Sequence, residues 1–359
     1  MTQAPASKTP VTVLTGYLGA GKTTLLNRIL SEDHGKRYAV IVNEFGEIGI
    51  DNDLIVGADE EVFEMNNGCV CCTVRGDLIR VLSGLMKRKG GFDAIIVETT
   101  GLADPGPVAQ TFFVDEDVKA RTQLDSVTTV VDAKHVLLRL SDSREAREQI
   151  AFADQIVLNK TDLVSEQDLR MVEARLRRLN PLAPIHRAQR SNVPLDAILG
   201  RGGFDLERIV SIEPEFLNPA HGEEGHVHDE HCDHDHGHDH GHHHHGHDHG
   251  HGHAKASDIH DDDIRGISLR LDRPVDGGKI TTWLNDLLAA QGPDILRAKG
   301  IIDVAGDERR LVFQAVHMIL EGDFQRPWNA TDQRHSRLVF IGRDLDEAKL
   351  RAGFEACAA

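Results

Sequence analysis

A glycine-rich stretch near the start of the chain combines residue types that bind phosphate. It runs Gly16-Tyr17-Leu18-Gly19-Ala20-Gly21-Lys22-Thr23, between the β-branched run Val11–Thr15 and the helical pattern Thr23–Leu30. Glycines allow backbone N–H groups to surround phosphate oxygens, and the N-terminus of the following helix adds partial positive charge. Lys22 would bridge the β- and γ-phosphates of a nucleoside triphosphate, and the Thr23 hydroxyl would ligate Mg²⁺. The alternative is a glycine-rich turn without function, which the flanking strand and helix disfavour.

A second motif, Ile95-Ile96-Val97-Glu98-Thr99-Thr100-Gly101, is an apolar strand pattern that ends in a carboxylate. Such a carboxylate can hold Mg²⁺ directly or through water, and the Gly101 N–H can reach the γ-phosphate. Buried strands often end in Glu, so the pattern is weak alone, but its position after a phosphate-binding loop favours a catalytic interpretation. The predicted catalytic residues are Lys22, Thr23 and Glu98.

The nucleobase is indicated by Asn159-Lys160-Thr161-Asp162, which follows the apolar strand pattern Gln155–Leu158. The Asp162 carboxylate can accept hydrogen bonds from both guanine N–H donors, whereas adenine offers no such pair and would leave it unpaired. Asn159 would support the loop, and Lys160 would lie along the base. Alone, the motif could equally be a polar helix cap, but its position behind the phosphate-binding loop favours GTP. The predicted second base loop comprises Gln189, Arg190 and Ser191.

Three of the five cysteines are crowded into Cys69-Val70-Cys71-Cys72, directly after the turn Asn66-Asn67-Gly68. Thiolates so close together suit a soft or borderline ion such as Zn²⁺ or Co²⁺. Three thiolates leave one tetrahedral position for a water, a carboxylate or a receiving protein, which suits a site that passes its metal on. A redox pair and ordinary buried cysteines are the alternatives.

The segment from His221 to His260 contains seventeen of the 22 histidines, mixed with Asp and Gly and without any apolar period. Such a composition cannot bury a core and predicts a disordered tract. Its imidazoles could bind several Zn²⁺, Ni²⁺ or Co²⁺ ions weakly, which predicts metal buffering. The alternative is a solvated linker without a metal role.

The elements that must position these residues alternate along the first half of the chain. Short apolar runs separated by helical patterns predict a parallel sheet covered on both faces, and hence an α/β, P-loop NTPase domain. After the histidine tract, the alternating strand Ile264–Leu271, the helix Lys279–Ala290 and further strand patterns predict a small α+β domain with an antiparallel sheet. The predicted divisions are a tail at 1–10, the P-loop domain at 11–218, the linker at 219–262 and the carboxyl-terminal domain at 263–359.

Composition excludes several classes of function. Of the net charge of −18, −11 lies between Pro219 and Asp263, and no basic footprint for nucleic acid exists. The sequence shows neither a signal peptide nor an apolar run of transmembrane length. We therefore expect a cytoplasmic protein that binds neither nucleic acid nor membranes.

Taken together, these motifs resemble the CobW-type P-loop GTPases, a family of metallochaperones. The matching segments are Thr15–Leu26, Asn43–Asp51, Gly68–Cys72, Glu98–Pro105, Asn159–Asp162, Val312–His317, Arg326–Trp328 and Leu338–Gly342. The resemblance spans nearly the whole chain except the histidine tract.

The resemblance implies slow GTP hydrolysis coupled to delivery of a metal ion to a client metalloprotein. As a separate expectation, the protein forms a homodimer. It assigns phosphate binding to residues 19–24, including Thr24, and a switch role to Asn43–Asp51. Cys69, Cys71 and Cys72 would bind the transferred Zn²⁺, and Glu44 and Glu47 are candidate carboxylates near it. The alternatives are cobalt delivery for cobalamin synthesis, and a metal storage or sensing module in which GTP is only a conformational ligand.

Overall fold

The computed structural model describes residues 8–32, 35–43, 61–65, 72–87, 92–204, 263–329 and 333–359. The amino-terminal elements are β1 (Thr9–Thr15), α1 (Lys22–Ser31), β2 (Tyr38–Asn43), β3 (Glu61–Met65), α2 (Cys72–Leu85), β4 (Ala94–Glu98), α3 (Gly106–Val114), α4 (Glu116–Arg121), β5 (Thr122–Asp132), α5 (Val136–Asp142), α6 (Arg144–Phe152), β6 (Gln155–Asn159), α7 (Glu166–Leu179) and β7 (Ile185–Arg187).

These strands form one sheet in the order β3-β2-β4-β1-β5-β6-β7, and every neighbouring pair among the described strands is parallel. Strands β4 and β6 are buried along their whole length. A parallel sheet with helices on both faces requires such continuous apolar strands. The predicted α/β fold of the P-loop domain is therefore confirmed.

The carboxyl-terminal elements are β8 (Ile264–Leu271), α8 (Gly277–Gln291), β9 (Ile295–Asp303), β10 (Arg309–Val316), β11 (Ile319–Pro327), β12 (Ser336–Arg343) and α9 (Glu347–Glu355). The strands form an antiparallel sheet in the order β11-β10-β9-β12-β8. One face packs against α8 and α9 around Leu284, Phe340 and Phe354. The other face, with Val339 and Ile341, shares a core with the amino-terminal domain. The predicted α+β domain is confirmed.

Several elements were not predicted from the sequence. β3 and β11 are the outermost described strands of their sheets, and both mix charged with apolar residues, so neither shows the continuous apolar run of a buried strand. The apolar run Gly300–Ala305 predicts a strand, but strand β9 already begins at Ile295. The sequence hides this earlier start because Arg297 and Lys299 interrupt the apolar run, although both are buried. The bounds of the predicted linker, 219–262, lie outside the described residues.

The two domains meet through buried charges as well as apolar contacts. Asp154, between α6 and β6, pairs with Arg297 at 2.8 Å and with Lys299 at 3.4 Å, and all three side chains are 2 % exposed. Glu148 of α6 pairs with Arg343 of β12. These pairs fix the carboxyl-terminal sheet against helix α6.

Candidate nucleotide-binding site

The predicted phosphate-binding loop connects β1 to α1 and depends on glycine at two positions. Gly16 has φ +140°, and a Cβ there would lie 2.2 Å from the Val130 carbonyl oxygen of β5. Gly21 has φ +111°, and a Cβ there would lie 2.5 Å from Asn159 Nδ2. Both backbone conformations disfavour side chains, so the loop can pass this close to its neighbours only as glycine.

Helix α1 begins at Lys22, directly after this loop, and carries no acidic residue in its first turn. The first N–H groups of a helix have no carbonyl partner within it, so they and the helix dipole favour an anion. The buried Lys22 ammonium donates to the Gly16 carbonyl at 2.8 Å. Thr23 is half-buried and Thr24 is exposed. Gly19, Ala20 and the helix start thus form one cationic cradle of the kind that phosphate requires.

The second motif, residues 95–101, leaves the sheet at the carboxyl end of β4, at the same edge as the phosphate-binding loop. Glu98 is the last residue of β4, is 7 % exposed, and lies opposite Leu14 of β1, immediately before the phosphate-binding loop. The hydroxyl of Thr100, two residues later, is buried without a hydrogen-bond partner among the described residues. A carboxylate and hydroxyls at this edge are hard oxygen ligands, so Thr23 and Glu98 fit a Mg²⁺ ion. Gly101 lies against the loop, because a Cβ there would be 2.7 Å from the Leu18 nitrogen.

The predicted guanine motif is joined to the phosphate-binding loop by hydrogen bonds. Asn159 Nδ2 donates to the Ala20 carbonyl at 2.9 Å, and Asn159 Oδ1 accepts from the Ser191 N–H at 2.8 Å. Lys160 donates to the Gly19 carbonyl at 2.7 Å. Asp162 lies in a short 3₁₀ turn at Thr161–Leu163 and is exposed. The arrangement places the base motif beside the phosphate cradle and leaves the Asp162 carboxylate on the surface.

The predicted second base loop follows β7. Arg190 and Ser191 both have positive φ, +49° and +57°, which is rare for residues other than glycine. The Ser191 hydroxyl donates to the Gly21 carbonyl at 3.1 Å, and Arg28 of α1 donates to the Ser191 carbonyl at 3.0 Å. Gln189 and Arg190 are exposed. The strained turn is therefore held by contacts from both the phosphate-binding loop and α1.

Sequence reasoning missed Asp132, which ends β5. Its carboxylate accepts from Lys160 at 2.7 Å and contacts His135 Nδ1 at 3.0 Å. Burial raises the pKa of Asp132, but the hydrogen bonds from Lys160 and His135 outweigh burial and hold the pKa below its ordinary value. Asp132 also lines a cavity of about 380 Å³ beside the loop, together with Tyr17 and Gln149. A carboxylate at the end of a buried strand is the signal that could have identified it, as it did Glu98.

The predicted metal ligands fall largely outside the described residues. Glu44, Glu47, Cys69, Cys71 and the histidine tract lie outside them, and Cys72 is described only as the first residue of α2. Within the described ranges, no group of three or more His, Cys, Asp or Glu side chains is arranged to hold a metal ion. Among the same residues, no helix is long and apolar enough to cross a membrane.

Two protein-family models match this chain. Residues 10–187 match the family "CobW/HypB/UreG, nucleotide-binding domain", and residues 264–358 match the "Cobalamin synthesis protein cobW C-terminal domain". The chain is 36 % identical over 349 residues to the zinc chaperone YjiA of Escherichia coli, covering 96 % of this chain and 97 % of that protein. It is 33 % identical over 389 residues to the zinc chaperone CobW of a Sinorhizobium species, covering 99 % of both.

The crystal structure of Zn(II)-bound YjiA GTPase from E. coli has the same architecture. Its TM-score is 0.74 at 32 % identity, over 99 % of this chain and 100 % of that one. Both domains and nearly the full length are thus shared with relatives of known fold. This chain belongs to the CobW family of P-loop GTPases.

Proposed function

We propose that this chain hydrolyses GTP and uses the nucleotide to control a Zn²⁺ ion, which it binds through Cys69, Cys71 and Cys72 and transfers to a client metalloprotein. Two relatives that match it over nearly their whole length are named zinc chaperones. The ion is cargo in this proposal, since it leaves with the client.

One observation carries the proposal: the strands that lead into the predicted switch and the cysteine motif end side by side. Asn43, the last residue of β2, pairs with Met65, the last residue of β3, and Val42 pairs with Glu98 of β4. Neighbouring strands are about 4.8 Å apart. Strands β2 and β3 therefore end at the sheet edge where Glu98 lies, two and three positions from β1 and its phosphate-binding loop.

The residues of the nucleotide site would act in three ways. Lys22 and the start of α1 would bind the β- and γ-phosphates, and Asp162 would select guanine through its two N–H donors. Thr23 and Glu98 would hold Mg²⁺, which neutralises phosphate charge when bound. Gln189, Arg190 and Ser191 would border the base. We infer slow intrinsic turnover, because the family relationship implies it.

The nucleotide can be coupled to the bound Zn²⁺ ion because β2 and β3, which lead into the switch segment and the cysteine motif, end at the same edge of the sheet as Glu98. A γ-phosphate can order a switch segment that hydrolysis releases, and the segment after Asn43 contains Glu44 and Glu47. In this proposal GTP assembles the thiolate site, with one of these carboxylates near the metal, and GDP loosens it. Transfer to the client then follows hydrolysis.

The test is a competition titration of Zn²⁺ against a chelator, in Mg²⁺ with either a non-hydrolysable GTP analogue or GDP. We expect tighter Zn²⁺ binding in the GTP state and its loss in Cys71→Ala. The matched control is Cys357→Ala, since Cys357 is buried two residues after α9 with its thiol 3.2 Å from the Gly353 carbonyl. Equal Zn²⁺ dissociation constants in the two nucleotide states would refute the coupling.

The same titration separates the alternatives. If the protein stores or senses metal, the Zn²⁺ stoichiometry is high and is lost when residues 221–260 are deleted, without a change in GTP hydrolysis. Delivery instead predicts that the GTP-dependent site survives this deletion. Repeating the competition with Co²⁺ tests delivery of cobalt, which uses the same ligand types. Sedimentation with each nucleotide tests the proposed homodimer.

A further inference from the structure

The side chain of Gln149, in the middle of α6, donates hydrogen bonds to the segment that follows Glu98. Gln149 is 1 % exposed, and its Nε2 atom donates to the carbonyls of Gly101 at 3.1 Å and Ala103 at 3.0 Å. A primary amide has two N–H donors, so both are used here. The backbone carbonyl of Gln149 accepts from the Thr129 hydroxyl at 2.8 Å, which fixes the helix to β5.

The segment is held on its other side by the phosphate-binding strand. The Thr99 N–H donates to the Leu14 carbonyl at 2.9 Å, and the Thr99 hydroxyl donates to the Thr15 hydroxyl at 2.8 Å. Gly101 then packs against Leu18. The position of the Gly101 N–H is thus set between β1 and the Gln149 amide.

Helix α6 is also the element against which the carboxyl-terminal domain is fixed. Next to Gln149, Glu148 is 4 % exposed and pairs with Arg343 of β12 and with Arg144 at 2.7 Å. One turn later, the Phe152 ring lies 5.2 Å from the His317 ring of the β10–β11 turn. A shift of α6 would therefore disturb both the carboxyl-terminal contacts and the Gly101 segment.

We propose that Gln149 is a positioning residue for GTP hydrolysis, which holds Gly101 and Ala103 so that the Gly101 N–H meets the γ-phosphate. The proposal rests on the proposed GTPase function. Because GDP lacks the γ-phosphate, the Gln149 contact matters for GTP binding and turnover and not for GDP binding. A general loss of stability cannot produce that selectivity.

The test compares Gln149→Met with Gln155→Met in the full-length protein. Met has nearly the volume of Gln and no N–H donor. Gln155 is a matched control, since it is 2 % exposed in the same domain and its amide contacts His186 at 2.9 Å, at the start of β6. Steady-state GTP hydrolysis and the affinities for GDP and a non-hydrolysable GTP analogue are measured for each.

We expect Gln149→Met to lower kcat about 100-fold, the effect of misplacing a contact by about 1 Å. The analogue affinity should fall while the GDP affinity stays within twofold of wild type, and Gln155→Met should change neither. If Gln149→Met does not fold, Gln149→Glu serves instead, because its carboxylate is isosteric but presents oxygens to the same two carbonyls.

The outcomes separate the two proposals. A wild-type protein that neither binds nor hydrolyses GTP overturns the proposed function. Wild-type hydrolysis that is matched by Gln149→Met, or a parallel loss of GDP and analogue affinity, overturns the role of Gln149 alone.

Discussion

The buried charges between the domains allow a quantitative test of how firmly the domains are joined. Asp154→Asn keeps the size of the side chain but removes the anion between Arg297 and Lys299, whose side chains are both 2 % exposed. Removing one partner of a buried ion pair costs about 3–5 kcal/mol, because the remaining charge stays buried and uncompensated. The hydrogen bond from the Val127 N–H, 2.9 Å from the carboxylate, can still form with an Asn oxygen. We therefore expect the decrease in the free energy of unfolding to be mainly electrostatic in origin.

Urea unfolding followed by tryptophan emission is the assay. The chain has two tryptophans, Trp283 and Trp328, and both lie in the carboxyl-terminal domain. Because urea m-values for small domains are about 1–3 kcal/mol/M, a loss of this size lowers the midpoint by on the order of 2 M. The control is Asp142→Asn, whose exposed pair with Arg139 at 2.9 Å should contribute only about 0–1 kcal/mol.

The effect of a bound nucleotide on the urea midpoint provides a second measure of how firmly the two domains are joined. GDP at 100 times its dissociation constant adds about 2.7 kcal/mol to the state that binds it. While the domains are joined, we expect GDP to raise the tryptophan midpoint, although no tryptophan lies in the nucleotide-binding domain. In Asp154→Asn we expect GDP to raise the tryptophan midpoint by a smaller amount. A midpoint and a GDP response equal to those of Asp142→Asn would refute the coupling of the domains through Asp154.

Three further predictions follow from the site and the interface. Asp132→Asn should weaken GTP and GDP alike, roughly tenfold in a fluorescent-nucleotide titration, because it removes a charged hydrogen bond from Lys160. Asp162→Asn should lower GTP affinity about 100-fold and favour xanthosine triphosphate in a competition assay, because an amide matches one N–H and one carbonyl of xanthine. Arg297 and Lys299 hold the pKa of Asp154 below its ordinary value although burial raises it, so its stabilising effect is full above about pH 3.9 and is lost as pH falls through the folded pKa. As the pH is lowered, the urea midpoint measured by tryptophan emission should therefore fall less steeply in Asp154→Asn than in the wild type.

Each prediction has an opposing result. Unchanged nucleotide affinity in Asp132→Asn would mean that the Gly19 carbonyl alone fixes Lys160. An Asp162→Asn variant that still prefers GTP would mean that another group reads the base. Identical acid profiles for wild type and Asp154→Asn would mean that other carboxylates govern the acid transition.

The sequence was most informative where function imposes local residue types. The phosphate-binding loop, Glu98 and the Asn159 motif each follow an apolar run, and parallel β-structure brings the ends of such runs to one edge. Their approximate arrangement could therefore be predicted from the order of strands alone. The structure adds which side chains link them, such as Asn159 between Ala20 and Ser191.

What the sequence could not provide depends on partners distant along the chain. Gln149 is an ordinary polar residue in a helical pattern, and its importance comes from carbonyls 46 and 48 positions earlier. Arg297 and Lys299 look like surface charges until Asp154, more than 140 residues away, is placed beside them. Both roles depend on contacts between residues that are distant along the chain, and the local composition does not indicate such contacts.

The junction has a consequence for the chain between the domains. Phe204 and Ile264, which flank residues 205–263, are both buried in the core that the domains share. The arrangement of the domains is therefore set by this core and by the charges around α6, and not by the number of residues between Phe204 and Ile264. For a flexible linker, which the sequence predicts between the domains, doubling the length costs only about 0.6 kcal/mol of closure entropy. We therefore expect insertions and deletions in the predicted linker to be nearly neutral for stability and to leave the nucleotide site unchanged.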